Sequence, residues 1–183
     1  MPIPRNWTEE LTSEWLQLLG YLTETGVPVG VGNRGGREEA DIVGVMVSVT
    51  SQGKKLLHVK HFETGQLTGN HNRNVDILRK KFSVNRTQEI ENRFKKRLGS
   101  YDLIQYEKVY VDIWGNITKA GKLNKLIGEE GITVWTIKKL FDEIVQTITN
   151  WHPEYKSKTS EATIPEGFWM LKLLESMREY KLL

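Results

Sequence analysis

The order of periodicities along this chain of 183 residues predicts an α/β fold, a mixed sheet flanked by helices. Three observations carry that prediction. Three β-branched runs follow one another between Val27 and Phe62 with only short turns between them. A strand, a helix and a second strand then follow in the order of a parallel crossover. Amphipathic helical segments stand before, between and after these strands.

Leu11, Trp15, Leu18 and Leu22 fall on one helical face, which predicts a helix from Thr8 to about Glu24. Thr8 suits the N-cap, Glu9 and Glu10 suit the first turn, and Gly26 and Pro28 supply a stop. Val27–Gly32 is a short β-branched run that ends in the turn residues Asn33, Arg34, Gly35 and Gly36. Ala40–Thr50 alternates and is rich in valine, Ser51-Gln52-Gly53 reads as a turn, and Leu56–Phe62 reads as the third strand of an antiparallel meander. Val75, Leu78 and Phe82 mark one helix, and Ile90, Phe94 and Leu98 mark another that ends at Gly99. Lys108–Trp114 is a strand, Lys119–Glu130 a helix, Ile132–Ile137 a strand and Lys138–Trp151 a helix. A polar loop, His152–Ser160, leads to a last helix opened by Pro165. The length suits one domain over 1–183, with 152–183 a loop and helix extension.

Composition narrows the function classes. The chain has no cysteine, which excludes disulfides and thiolate metal sites and makes a cytoplasmic location the expectation. No apolar run is long enough for a membrane span, so no membrane partner is expected. Net charge is only +3, yet nine basic residues stand against three acidic ones between Arg73 and Arg97. Such a local excess suits a polyanionic partner, and equally a solvated helix face.

Polar residues that interrupt apolar strands are the candidate site. Asp41 does so in Glu39-Ala40-Asp41-Ile42-Val43, and Lys60 does so in Leu56-Leu57-His58-Val59-Lys60. Burying such groups is costly, and a carboxylate beside an ammonium can serve a divalent metal and a phosphate together. His58 shares a strand face with Lys60, whereas His61 points to the other face, so the two histidines do not chelate one ion. Gly30-Val31-Gly32-Asn33-Arg34-Gly35 spells a dinucleotide-type glycine motif, but a strand follows where that motif needs a helix. It reads as a glycine-rich hairpin.

The element order, the acid on the second strand and His58-Val59-Lys60 on the third resemble the PD-(D/E)xK nuclease superfamily, which includes the type II restriction endonucleases. The resemblance spans roughly residues 8–137 and implies a restriction-endonuclease-like α-β-β-β-α-β core. It gives Asp41 the role of metal-binding aspartate and Lys60 that of the motif lysine. Glu14 takes the place of the helix-borne glutamate of some members. His58 stands where the family has Asp or Glu, which makes it a weaker second metal ligand unless Glu14, Glu39 or Glu63 substitutes.

The implied activity is Mg²⁺- or Mn²⁺-dependent hydrolysis of DNA phosphodiesters of restriction-endonuclease type, with a homodimer as the expected assembly. Arg34, Arg37, Arg73, Arg79, Lys80, Lys81 and Arg86 are the candidate DNA contacts. The alternatives are a non-catalytic nucleic-acid-binding module on the same fold and a protein-interaction module using the last helix. That helix is apolar round much of its circumference, which suits core packing or a dimer face.

Overall fold

In a computed structural model, which describes residues 6–30, 38–151, 164 and 167–180, five strands form one sheet. They are β1 (Leu22–Pro28), β2 (Glu39–Val49), β3 (Lys55–Gly65), β4 (Leu103–Asp112) and β5 (Ile132–Thr136), and they lie side by side in chain order. β1, β2 and β3 are antiparallel neighbours, whereas β3, β4 and β5 run parallel. The α/β class and the mixed, helix-flanked sheet expected from the sequence are therefore present.

Each parallel step is bridged by helix. α2 (His71–Lys81) and α3 (Val84–Leu98) lie between β3 and β4, and α4 (Ile117–Ile127) with a 3-10 turn at Gly128–Glu130 lies between β4 and β5. α1 (Trp7–Leu18) precedes the sheet, and α5 (Ile137–Trp151) and α6 (Trp169–Glu179) follow it.

Three core clusters divide the helices between the two faces of the sheet. On one face Leu11, Trp15 and Leu16 of α1 meet Ile42, Phe62, Val109 and Val111, together with apolar residues of α5 and α6. Phe62 is fully buried there, with edge contacts to Trp15 and Trp135 at ring-centroid distances of 6.0 and 5.6 Å. On the other face α2 and α4 pack over Tyr110, Ile132 and Val134. α3 packs there through Ile90 and Phe94 against valines of β1, β2 and β3.

The first helix differs most from the sequence expectation. Asn6, not Thr8, is its cap: the Asn6 side chain accepts the Glu9 N–H at 3.0 Å. The helix stops at Leu18, because Gly20 takes φ = 87°, and Leu22 belongs to β1. Leu22 fits the helical spacing by coincidence and is largely exposed. α6 begins at Trp169, buries Met170, Leu171 and Leu174, and leaves Trp169 and Leu173 half exposed, so one of its faces is core. Pro165 and the polar loop at 152–160 lie outside the described residues.

The β5 edge carries a side-chain stopper. Asn124 of α4 donates to the Val134 carbonyl at 3.0 Å and accepts the Val134 N–H at 2.6 Å, copying the pairing a further strand would make. Among the described residues no helix is long and apolar enough to cross a membrane.

Candidate active site

The hairpin between β2 and β3 determines which residues meet. Its register is symmetric about Gln52: Ile42 and Phe62, each ten residues away, face one another, as do Gly44 and Lys60, each eight away. One step beyond the first pair stand Asp41 and Glu63. Both lie at the end of the sheet where the parallel strands β3, β4 and β5 have their carboxyl ends, the usual place for a site in such sheets.

Glu63 is completely buried. Its Oε1 lies 3.0 Å from His61 Nε2 and accepts from Arg86 Nη2 at 3.0 Å, while Oε2 accepts from Lys81 Nζ at 2.5 Å. Burial pushes the Glu63 carboxyl up, but His61 and Lys81 together outweigh it and hold the group below the ordinary carboxylate range. The other ring nitrogen of His61 lies 3.1 Å from the Tyr106 hydroxyl, and its ring meets Phe82 edge-on at 4.8 Å. Glu63 is thus an anion fixed on both oxygens.

Asp41 differs. Its Oδ2 accepts from Thr64 N at 2.7 Å and from Thr64 Oγ1 at 3.4 Å, and its Oδ1 accepts no hydrogen bond among the described residues. Burial first, and then the charge of Glu63, push Asp41 above its ordinary value despite Lys81 and the Thr64 N–H. A half-buried carboxylate destabilised by its neighbour favours a proton or a cation. Asp41 lines a cavity of about 310 Å³ with Glu38, Glu39, Ile77, Lys80, Lys81 and Arg86.

A second carboxylate–lysine pair adjoins the first. Asp112, at the end of β4, is buried, accepts the Leu67 N–H at 3.3 Å and pairs with Lys119 Nζ at 3.2 Å. Tyr110 lies between the two pairs: burial, then the charges of Asp112, Asp41 and Glu63, push its phenol up. No side chain fits at Gly65, since a Cβ there would sit 2.7 Å from the Tyr110 hydroxyl.

The expected partnership of Asp41 with Lys60 is not formed. Lys60 lies on the α1 face of the sheet with Gly44, 2.6 Å from Glu107 Oε2 and 5.8 Å from the centre of the Tyr21 ring. Lys81, approaching from α2, supplies an ammonium to the Asp41 side instead. His58 does not join Asp41 as a metal ligand either. It contacts Ser48 Oγ at 2.8 Å and stands five residues before Glu63, roughly 16 Å away at the usual rise of a strand.

Glu14 is buried on α1, but it accepts the N–H groups of Met170 and Leu171 at 3.3 and 2.9 Å and so caps the start of α6. Burial pushes its carboxyl up while those N–H groups pull it down.

Most of the basic stretch is engaged within the fold. Arg79 pairs with Glu130 at 2.7 Å, Lys80 with Glu38 at 3.2 Å and Lys81 with Glu63. Arg86, almost fully buried, binds Glu38 at 2.8 Å, Glu63, and the Glu39 carbonyl at 2.8 Å. These four are candidate DNA contacts, and each also ties a helix to the sheet or to the neighbouring connection. Arg73 is exposed, and Arg34 and Arg37 lie outside the described residues.

Sequence reasoning missed Tyr110, Asp112 and Lys119, and gave Glu63 only the place of a substitute. The symmetric hairpin was the available signal: counting outward from Gln52 puts Glu63, not Lys60, beside Asp41.

Among the described residues no group of three or more His, Cys, Asp or Glu side chains is arranged to hold a metal ion. The donor set is Asp41 with Glu63, both oxygen donors. That number fits a hexacoordinate Mg²⁺, which takes one or two carboxylates and completes its shell with water and phosphate. No protein-family model, no curated protein and no solved structure matches this chain.

Proposed function

We propose that this chain hydrolyses nucleic-acid phosphodiesters with a divalent cation, using Asp41, Glu63 and Lys81 rather than Asp41 and Lys60. The observation that supports this is the meeting of two strand-borne carboxylates and a helix-borne lysine at the carboxyl end of the parallel strands. Asp41 and Glu63 would hold Mg²⁺ or Mn²⁺, which when bound supplies charge for the scissile phosphate and an acidified water. Lys81 releases Glu63 to that use and turns its ammonium to the phosphate, where negative charge develops. Arg86 and His61 keep Glu63 ionised and aimed, and water has access from the Asp41 cavity.

The test is nicking of supercoiled plasmid DNA in Mg²⁺ or Mn²⁺. The wild-type chain should nick, EDTA should stop it, and Asp41→Ala and Lys81→Ala should fall to background while Lys60→Ala retains activity. Undiminished cleavage by Asp41→Ala protein sinks the proposal.

A second reading is a nucleic-acid-binding module without catalysis. It is favoured by the saturation of Glu63, whose two oxygens are already held by His61, Arg86 and Lys81. Salt-dependent retention of DNA without nicking would select it.

A further inference from the structure

Two residues beyond Asp112, at the same end of the sheet as Asp41 and Glu63, the indole of Trp114 stands 78% exposed. An exposed tryptophan on a loose loop would mean little, but this one sits on a fixed turn. The Ile113 N–H on one side donates to the Gly65 carbonyl at 2.9 Å, and the Gly115 N–H on the other donates to the Asp112 carbonyl at 3.2 Å. The turn is also closed sterically, since a Cβ on Gly115 would lie 2.5 Å from Asp112 Oδ2. Asn116 then caps α4 by accepting the Lys119 N–H at 2.9 Å. The backbone is held on both sides while the ring faces solvent, so the indole forms a platform whose backbone ordering cost is already met in the free protein.

The surroundings discriminate between partners. α4, which starts three residues later, carries three lysines and no acid over Ile117–Ile127. Lys119 is committed to Asp112, whereas Lys122 and Lys125 are exposed and make no ion pair among the described residues. Ile117 is the exposed apolar neighbour in this helix's first turn, at 72%. A protein-docking patch would ring the tryptophan with apolar and aromatic side chains, and lysine is depleted from such interfaces. A flat π-surface just ahead of a helix that carries exposed cations matches instead a polyanion with stackable rings whose faces are free. In a duplex those faces are covered by neighbouring bases.

We infer that Trp114 is a stacking platform for an unpaired base, with Lys122 and Lys125 on the adjoining phosphates, so that the substrate is single-stranded nucleic acid. This rests on the phosphodiesterase reading for the site beside it, and binding can be measured without cleavage.

The experiment is fluorescence anisotropy of a labelled oligothymidylate of about 20 nucleotides in EDTA, a length ample for a stacking groove. Trp114→Ala should weaken binding roughly 5- to 150-fold, the factor equivalent to about 1–3 kcal/mol of base stacking. Trp114→Phe should keep most of the affinity, and the duplex of the same length should bind more weakly. Lys122→Ala with Lys125→Ala should lower the log–log salt slope by about 1.4, or about 0.7 per phosphate contact on a single strand. Because the indole is exposed, the thermal melt of Trp114→Ala protein should match that of the wild type, which separates lost stacking from lost fold. Equal affinity of Trp114→Ala protein, preference for the duplex, or no oligothymidylate binding overturns the inference. Binding through Trp114 with no Mg²⁺-dependent cleavage of the oligothymidylate leaves it standing and removes the phosphodiesterase reading. Mg²⁺-dependent cleavage of the oligothymidylate that Trp114→Ala leaves unchanged does the reverse.

Discussion

Replacing Arg86 by methionine should destabilise the protein by about 2 kcal/mol, a figure built from three contributions. Removing one member of a buried ion pair costs about 3–5 kcal/mol when the remaining charge has no other partner. Glu63 keeps Lys81 and His61, which places the loss at or below the low end of that range. The contact to Glu38 adds little, because Glu38 is half exposed and water screens it. Methionine also removes the Arg86 Nε–H, which is buried without a partner among the described residues, and so relieves about 1 kcal/mol or more. Methionine keeps an apolar stem at this buried position of α3. With a urea m-value of about 2 kcal/mol/M, the unfolding midpoint should fall by about 1 M. Arg73→Met, at an exposed position in the same basic stretch, should stay within about 0.5 kcal/mol of wild type. An unchanged midpoint for Arg86→Met protein, or equal shifts for the two variants, would refute the view that Arg86 serves the fold.

Glu14→Ala should cost about 1–3 kcal/mol, since it strips two N–H groups at the start of α6 of their acceptor; urea unfolding together with limited proteolysis within α6 will show it. Asp41→Asn should raise the melting temperature at pH 7. The folded pKa of Asp41 is raised, so its charged form opposes folding at neutral pH, and protonation relieves this as pH falls through the folded value. The advantage of the asparagine variant should therefore shrink on acidification, and a constant difference between pH 4 and pH 8 would contradict that sign.

Much of the fold was legible because side-chain period and strand order go together. The valine-rich run before Gln52 and the Leu56–Phe62 run could only be half-buried strands, and the later strand–helix–strand order could only be a crossover. Leu22 misled because an i, i+4, i+7, i+11 spacing counts positions without registering that Gly20 has already ended the helix. Asp41 was legible for a sound reason, as a carboxylate within an apolar strand. Lys60 satisfied the same rule for a different reason. Its stem crosses a half-exposed face beside Tyr21, and its ammonium reaches Glu107 on β4, a strand no local pattern links to it. Besides His61 on its own strand, the partners of Glu63 come from α2 and α3, so most of its setting follows from tertiary packing. The basic stretch shows the same limit: composition counts nine cations, but the acids that engage most of them lie on other elements.

Asn124 makes the two borders of the sheet chemically unequal. At β5 its amide occupies the Val134 N–H and C=O, and a five-residue strand leaves little further backbone for an incoming chain to grip. At β1 the neighbouring groove carries Arg93, Arg97 and three glutamates. An extended segment approaching β5 is therefore denied the Val134 backbone groups. The β5 side is closed by hydrogen bonds from a side-chain amide of the same chain, while charged side chains flank the β1 side.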